Sequence, residues 1–388
     1  MAHLLFLTFC IGAALAALSG CQTVSDGYDR MFGRRPVHKP AELVAIKATA
    51  TARVLWQANV GSAEKNVFVP VMAGGVIYAG GASGQINGYD AASGKSVARI
   101  EAGERISGGV GSGSGLVLAG TARGEVLAFD RGGKQLWKAQ LSGAVLAPPA
   151  ADGGIVVARA GDGRIYGLDA VSGKRRWMYQ RPTPTLTVRS HAGVVLHRGA
   201  VFAGFPGGRM AALVLSNGNV GWEGVVALPR GATELERVAD ITSLPVIDGP
   251  QVCAVAFQGR AACFDVTNGT LLWARDVSSI AGLSVDARYL YVTDEKDAIL
   301  ALDKTNGASI WRQDKLTGRR VSGPLAFGRY VVAGDYQGYV HVLSREDGSF
   351  AARVATDGSA ISVPPVALDL SSFLVQTRSG GVFAITVQ

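Results

Sequence analysis

The sequence predicts an all-β fold, an eight-bladed β-propeller with four antiparallel strands in each blade. Three observations predict it. A motif with a period of about 40 residues recurs along the chain, which is the length that four short strands and their turns occupy. Glycine is abundant, at 52 of 388 residues, and only 18% of the residues are charged, as expected of many short strands joined by tight turns. The repeat region also begins and ends with complementary half-motifs, which indicates a closed ring.

The N-terminal residues precede the repeats and predict a processed signal. An apolar run from Leu4 to Leu18 is shorter than the roughly 20 residues that a membrane-spanning helix needs. It ends in Leu18-Ser19-Gly20-Cys21, which resembles a bacterial lipobox, so we predict a signal peptide over residues 1–20 and a lipid on Cys21. The alternative is an ordinary signal peptide with a chance cysteine. Gln22 rather than Asp follows Cys21, and this favours the outer membrane over the inner membrane.

The rest of the chain divides into a tether and the repeat region. Residues 21–51 carry Gly, Pro and basic residues with little periodicity, and we interpret them as a lipidated tether. Residues 52–388 exceed what one ordinary hydrophobic core serves, so they form either two domains or a repeat architecture. Cys253 and Cys263 remain after Cys10 and Cys21 are assigned, and an even number in an oxidising compartment suggests a disulfide. Two small buried thiols are the alternative.

Each repeat has a strand ending in Asp, a turn with Gly four residues later, and a returning strand with Trp, as in Asp169, Gly173 and Trp177. The Asp accepts hydrogen bonds from the turn, and the Gly supplies the positive φ that the turn needs. We expect each Trp to pack against the next blade. The predicted blade-docking residues are Trp56, Trp137, Trp177, Trp222, Trp273 and Trp311, while Ala98 and Ala352 occupy the Trp position in two further copies.

The spacing of the repeats gives the blade count. From Asp90 to Ser344 the successive intervals are 40, 39, 45, 51, 38 and 41 residues, so there are seven copies of the motif. The chain ends in a strand over residues 380–385 that has no Trp strand after it, and residues 52–56 are a Trp strand with no partner before it. Pairing the two makes an eighth blade, closed by the N-terminal strand, and leaves no open edge. Two separate β-domains would make these half-motifs a coincidence.

The motif Asp-x-x-Ser/Asn-Gly-x-x-x-Trp resembles the repeat of the pyrroloquinoline-quinone (PQQ) type propellers. Both the quinoprotein dehydrogenases and the BamB family of outer-membrane assembly lipoproteins share that repeat. The lipobox, the short tether and the single propeller resemble BamB over essentially the whole chain. The resemblance implies a non-enzymatic scaffold of the β-barrel assembly machinery, anchored by lipid in the outer membrane and facing the periplasm. Likeness of the repeat alone would not settle function.

Two connections are longer than the others. From Trp to the next Asp position most span 30 to 33 residues, but Trp177 to Val214 spans 37 and Trp222 to Asp265 spans 43. In a four-stranded blade these connections emerge on one face, where binding is usually carried.

The resemblance implies that these loops dock onto the periplasmic POTRA domains of BamA, the central barrel subunit. The matching positions are Leu186, Val188 and Arg189 in the first loop and Asp240 in the second, and Arg189 is expected to pair with Asp240. Thr242 stands where the family can carry a second acid. The alternative is that Leu186 and Val188 pack beneath their own loop. A strand edge could also receive unfolded outer membrane proteins by β-augmentation.

Catalytic and cofactor motifs are not evident in the sequence. The quinoprotein dehydrogenases hold Ca²⁺ and a quinone and often carry adjacent cysteines, which this sequence lacks. His191 and His197 have no Cys or carboxylate at ligand spacing, and residues 111–115 lack the lysine of a phosphate-binding loop. The net charge of +8 comes without interleaved aromatics. We therefore predict no catalytic residue, cofactor, metal or nucleic-acid partner. A PQQ-dependent dehydrogenase and a propeller that binds another envelope ligand are the alternatives.

Overall fold

Eight small antiparallel sheets form the blades of a propeller in the computed structural model, which describes residues 39–188 and 190–388. This confirms the predicted fold. Residues from Ala41 to the C-terminus belong to one compact unit. The predicted signal peptide and Cys21 lie outside the described residues. No helix in the described part of the chain is long and apolar enough to cross a membrane.

Blades 1 to 4 follow the chain in order, and the strands of each blade are called A to D. Blade 1 contains β3 (Val71–Ala73), β4 (Val76–Gly80), β5 (Gln85–Asp90) and β6 (Ser96–Glu101). Blade 2 contains β7 (Gly108–Gly113), β8 (Leu116–Gly120), β9 (Glu125–Phe129) and β10 (Gln135–Gln140), and β2 (Val67–Phe68) pairs in parallel with β7. Blade 3 contains β11 (Ala150–Asp152), β12 (Ile155–Arg159), β13 (Ile165–Asp169) and β14 (Arg175–Tyr179). Blade 4 contains β15 (Val195–His197), β16 (Ala200–Phe205), β17 (Arg209–Val214) and β18 (Val220–Val225).

Blades 5 to 8 complete the ring. Blade 5 contains β19 (Val246–Asp248), β20 (Gln251–Val255), β21 (Arg260–Asp265) and β22 (Leu271–Asp276). Blade 6 contains β23 (Leu283–Val285), β24 (Tyr289–Thr293), β25 (Ile299–Asp303) and β26 (Ser309–Gln313). Blade 7 contains β27 (Leu325–Phe327), β28 (Tyr330–Gly334), β29 (Tyr339–Ser344) and β30 (Phe350–Ala355). Blade 8 contains β31 (Val366–Ala367), β32 (Ser372–Gln376), β33 (Gly381–Val387) and β1 (Ala52–Asn59).

The last blade is closed by the first strand, as the half-motifs predict. β1 pairs antiparallel with β33, from Ala52 opposite Val387 to Asn59 opposite Gly381. The two ends of the repeat region are therefore held together by a strand ladder. Closing the ring in this way removes the free sheet edges that a linear array would expose at each end.

Burial follows the position of each strand within its blade. In blade 3, the B and C strands are almost entirely buried because neighbouring blades cover both of their faces. In the D strand, Arg175–Tyr179, only Trp177 is buried, and the strand has an outer face in solvent. The hydrophobic core is therefore a ring of inter-blade layers rather than a single central cluster.

Each Trp joins its blade to the next one. Trp177 donates a hydrogen bond from Nε1 to the Leu215 carbonyl at 2.8 Å, and its ring lies on Gly218, where an added Cβ would come within 2.6 Å of Cε3. The repeat glycine therefore supplies both a positive φ, here 73°, and room for the neighbour's indole. The other five Trp residues make the same contacts, in the pairs Trp56–Gly94, Trp137–Gly173, Trp222–Gly269, Trp273–Gly307 and Trp311–Gly348.

The two D strands without Trp face blades whose C–D turns differ. Ala98 faces blade 2, where the turn is one residue shorter and Gly133 packs against Ile100. Ala352 faces blade 8, which has no C–D turn because its C and D strands come from opposite ends of the chain. There the amides of Thr49 and Ala50 donate to the Ala351 carbonyl at 2.9 and 3.1 Å. Residues 41–51, which the sequence assigns to the tether, thus contact blade 7.

Cys253 and Cys263 lie directly opposite each other on the B and C strands of blade 5. The structure joins them in a disulfide with a Cα–Cα distance of 4.1 Å. Both residues are buried in the layer between blades 5 and 6.

Candidate functional site

Two long D–A connections flank blade 4 on one face of the propeller. The first long loop comprises residues 180–194 and links β14 to β15, and the second long loop comprises residues 226–245 and links β18 to β19. The next connection, residues 277–282, is much shorter. B–C turns emerge on the same face, because every strand in a blade is antiparallel to its neighbour. The loops that the sequence singled out are therefore neighbours in space.

Asp240 of the second long loop holds the first long loop in place. Its Oδ2 accepts a hydrogen bond from the Val188 amide at 2.6 Å, and its Oδ1 accepts one from the Gly207 amide at 2.9 Å. Ser190 adds a second link between the loops by donating to the Thr242 carbonyl at 3.3 Å. Asp240 is only 2% exposed. Its carboxylate therefore positions the loops and does not itself lie on the surface.

The other predicted docking residues have different surroundings. Leu186 is 43% exposed, so it does not pack beneath its own loop, whereas Val188 is half-buried. Arg189 lies outside the described residues, and so does its expected pair with Asp240. Thr242, at the position where the family can carry a second acid, is buried and donates from Oγ1 to the Ile280 carbonyl at 3.3 Å.

The second long loop exposes further aliphatic side chains that sequence reasoning missed. Leu228, Leu235 and Leu244 are all exposed, and Leu244 reaches Gly193 of the first long loop. Glu236 accepts hydrogen bonds from the Ala232 and Thr233 amides, which hold the pKa of its carboxyl below the usual range. Leucines scattered among polar loop residues carry no periodic signal, so only the folded loop shows that they share this face.

Two arginines lie against the Phe205 ring, Arg159 at the end of β12 and Arg181 at the start of the first long loop. The guanidinium carbons of Arg159 and Arg181 are 5.1 and 5.3 Å from the ring centroid. Arg181 lies 3.5 Å from a Glu223 carboxylate oxygen, and Tyr179 donates to the same oxygen at 2.8 Å. Burial, together with that hydrogen bond, raises the pKa of Tyr179 to about 12.

Among residues 39–188 and 190–388, Arg159 has no comparable ion pair. Its Nη1 donates to the Gly204 carbonyl at 2.6 Å and, more weakly, to the Ala192 carbonyl at 3.4 Å. Burial lowers the pKa of Arg159 to about 10, although the charge of Asp240 opposes this shift. The side chain is therefore still a cation at neutral pH. It borders a cavity of about 310 Å³ whose other walls include Leu146, Asp162, Thr185 and Val188.

The chemistry of this face is that of recognition. Two loops that are hydrogen-bonded to each other present exposed leucines beside a partly buried cation. Among residues 39–188 and 190–388, no group of three or more His, Cys, Asp or Glu side chains is placed to hold a metal ion. The aspartates at the ends of the C strands accept hydrogen bonds from their own turns, as Asp169 does from the Ser172 amide at 2.8 Å.

A family model described as outer membrane protein assembly factor BamB matches residues 82–313 and 299–388. The chain belongs to the BamB family. A BamB from Nitrosomonas eutropha is 45% identical over 390 residues, covering 98% of this chain and 95% of the relative. A BamB from Bordetella pertussis is 41% identical over 372 residues, covering 96% and 94%.

Solved structures agree with this assignment. The crystal structure of BamB from Moraxella catarrhalis superposes with a TM-score of 0.80 at 26% identity, covering 87% of this chain and all of that one. A quinohemoprotein alcohol dehydrogenase from Comamonas testosteroni superposes with a TM-score of 0.69 at 13% identity, covering 86% and 76%. The dehydrogenase likeness shows a shared fold alone.

Proposed function

We propose that this BamB-family chain is a non-enzymatic scaffold lipoprotein of the outer-membrane β-barrel assembly machinery. It binds the periplasmic POTRA domains of BamA and assists the insertion of outer membrane proteins. A lipid on Cys21 anchors it in the outer membrane, and the propeller faces the periplasm. The names of its relatives support the assembly role, and the two long loops support the site of docking.

One observation carries the docking proposal: the two loops are fixed to each other through Asp240 while Leu186 stays exposed. An exposed leucine on a mobile loop would lose conformational freedom on binding. A leucine on a loop fixed by buried hydrogen bonds loses less of it, which favours tight association. Together with Leu228, Leu235 and Leu244, it gives this face the aliphatic anchors that protein interfaces use.

Replacing Leu186 tests the proposal. We expect Leu186→Asp to weaken binding to purified BamA POTRA domains by about tenfold or more, since a charge would replace a desolvated anchor. Leu370→Asp is the matched control, because Leu370 is fully exposed in blade 8 and away from both loops. Tryptophan fluorescence and the melting temperature report that each variant is folded. Wild-type affinity in both Leu186→Asp and Arg189→Glu would contradict this docking site.

A second role is supported by the outer strands. Seven of the D strands expose at least one apolar side chain to solvent, namely Leu55, Val97, Leu136, Met178, Val220, Leu272 and Ile310. A strand edge with apolar side chains suits β-augmentation by an unfolded barrel precursor. Titration with an unfolded, fluorescently labelled porin tests it. The double variant Leu136→Glu, Leu272→Glu should bind more weakly than Leu370→Glu, and equal binding argues against the role.

The proposal also excludes quinone chemistry. Purified protein mixed with PQQ and Ca²⁺ should show no bound quinone absorbance and no dye reduction with alcohols or sugars. Both signals together would replace the scaffold with a dehydrogenase.

A further inference from the structure

Arg159 occupies a position of the repeat that carries no charge in the other blades. The B-strand residue that pairs with the C-strand residue six positions later can be compared across all eight blades by strand register. These residues are Gly80, Gly120, Arg159, Gly204, Val255, Thr293, Gly334 and Gln376. Four are glycine and three others are uncharged. Blade 3 therefore differs from the others by carrying a cation at the end of its B strand, beside the B–C turn.

In three blades, glycine at this position makes room for a β-branched side chain from the following D–A connection. An added Cβ would come within 2.1 to 2.3 Å of that side chain, in the pairs Gly120–Val145, Gly204–Ile241 and Gly334–Ile361. In blade 3 the following connection is the first long loop, and the space beside Arg159 is the cavity of about 310 Å³. In those three blades the Val or Ile side chain fills the space beside the B strand, and we call it an aliphatic plug. In blade 3 the same space is an open cavity beside a guanidinium.

The guanidinium is not neutralised within the described residues. Its hydrogen bonds go to the two backbone carbonyls described above, which do not compensate its charge. The Asp240 carboxylate is near enough to raise its pKa but is occupied by the Val188 and Gly207 amides. Asp162, at the cavity wall, is paired with Arg164 at 2.8 Å and accepts from Ser142 at 2.6 Å. A partly buried charge without an ionic partner is costly, so this site favours a ligand that carries the opposite charge.

The cavity also lies next to the proposed docking residues. Val188 and Thr185 of the first long loop form part of its wall, and Leu186 stands exposed between them in the sequence. A protein docked on Leu186 would therefore be within reach of the cavity. A planar guanidinium matches a carboxylate through two parallel hydrogen bonds, and a single carboxylate balances its single charge.

We propose that this cavity receives an aspartate or glutamate side chain of the protein that docks on the two long loops, and that this carboxylate pairs with Arg159. The docked protein thereby supplies the plug that the chain itself supplies in three other blades. This inference rests on the proposed function, and it adds a specificity-determining residue and the chemistry of the partner group it recognises.

The test measures binding to BamA POTRA domains for wild-type protein and two variants. We expect Arg159→Gln to weaken binding by about 30-fold or more, because the partner's acid would be buried without its counter-ion. Arg176→Gln is the matched control, an arginine on the D strand of the same blade whose carboxylate partner, Asp169, lies in its own chain, and it should stay within about twofold of wild type. Wild-type affinity in Arg159→Gln overturns the inference, whereas failure of the wild-type protein to bind overturns the proposed function itself.

A scan from the partner's side keeps the test valid if Arg159→Gln folds poorly. Each surface Asp or Glu of the POTRA domains is changed to its amide and titrated against folded wild-type protein. We expect one change to weaken binding to wild-type protein by about 30-fold or more, a result that needs no Arg159 variant. Where Arg159→Gln is folded, the same change should weaken its binding hardly at all, which is the coupling that a direct pair produces. If no single change weakens binding, the inference is wrong. Sodium acetate, added at matched ionic strength, tests whether a free carboxylate occupies the cavity. We expect acetate to compete only weakly with the POTRA domains for binding. Complete displacement of the POTRA domains by acetate would instead assign the cavity to a small carboxylate.

Discussion

The carboxylate of Asp240 accepts a hydrogen bond from the amide of Val188 at 2.6 Å, so a buried acid of the second long loop holds the backbone of the first. Its other oxygen accepts from Gly207 in the B–C turn of blade 4. One side chain thus joins three segments that are far apart in the sequence. An acid that looks like a surface contact in the sequence is a positioning residue in the fold.

Removing this acid should loosen the first long loop. We expect Asp240→Ala to cost about 1–3 kcal/mol of unfolding free energy, because two amides lose their charged acceptor in a buried place. The Val188 amide should lose protection in hydrogen exchange, and POTRA binding should weaken with it. Asp152→Ala is the control, since Asp152 is exposed and, in the described part of the chain, its carboxylate accepts only from the adjacent Gly153 amide. Unchanged exchange at Val188 in Asp240→Ala would show that the loop is held in some other way.

The fold could be predicted from the sequence because the same strand-turn-strand motif recurs in seven copies. Asp169, Gly173 and Trp177 have equivalents along the chain, and the strand that contains Trp56 completes the blade formed by the C-terminal strands. The burial of Asp240 could not be predicted, because it depends on how two non-repeating loops meet across 52 residues of sequence.

The site at Arg159 could be predicted only in part from the sequence. Aligning the repeats places it at a position that is otherwise uncharged, and this signal was present in the sequence. Only the structure shows that the long loop leaves a cavity beside it. The missing Trp residues also have a structural reason. Ala98 faces blade 2, whose C–D turn is shortened, and Ala352 faces blade 8, which has no C–D turn. Neither position therefore faces a turn glycine of the kind on which the other blades place an indole ring.

The glycine under each Trp should be more sensitive to substitution than a glycine with only positive φ. In Gly218→Ala the new Cβ would lie within 2.6 Å of Trp177, whereas in Gly249→Ala, at φ 55°, it meets nothing within 4 Å. We expect about 1 kcal/mol for Gly249→Ala from backbone strain alone. Gly218→Ala should cost about 1–3 kcal/mol more from overpacking. Urea denaturation of both variants measures the difference, and equal costs would mean that Trp177 does not press on Gly218.

His341 should make stability depend on pH. It is fully buried, its Nε2 lies 3.0 Å from Asp335 and its Nδ1 accepts from Arg353 at 3.2 Å, which is the arrangement of a neutral ring. Burial lowers the pKa of His341, and the charges of Arg353 and Arg319 lower it further, against the opposing effect of Asp335. In the unfolded chain, His341 binds a proton near pH 6.5, whereas in the folded chain it stays neutral at that pH. The unfolding free energy therefore falls as pH drops below about 6.5.

Asp335 contributes in a different pH window. Burial raises its pKa, but hydrogen bonds from His341 and Arg319 outweigh this and hold it below the usual value. Its contribution is present above the ordinary pKa of an aspartate and is lost only as pH falls through the lower folded value. Urea denaturation at several pH values between about 7 and 5 gives the unfolding free energy as a function of pH. This free energy should fall with pH in the wild type, and it should fall less steeply in His341→Gln. Identical slopes would assign the pH dependence to other groups.

Residues 41–51 should stabilise blade 7, one of the two blades whose D strand lacks a Trp. The Arg319 guanidinium donates to the Ala41 carbonyl at 2.9 Å, and that of Arg353 donates to the Val44 carbonyl at 3.1 Å. The Thr49 and Ala50 amides donate to Ala351, where another blade would place an indole against a turn. A chain that begins at residue 52 keeps β1 but loses these bonds, each of which contributes about 1 kcal/mol, and more where the donor is a guanidinium. We expect it to unfold at a clearly lower urea concentration than a chain that begins at residue 39. Equal midpoints for the chains beginning at residues 39 and 52 would show that this segment only links the propeller to its anchor.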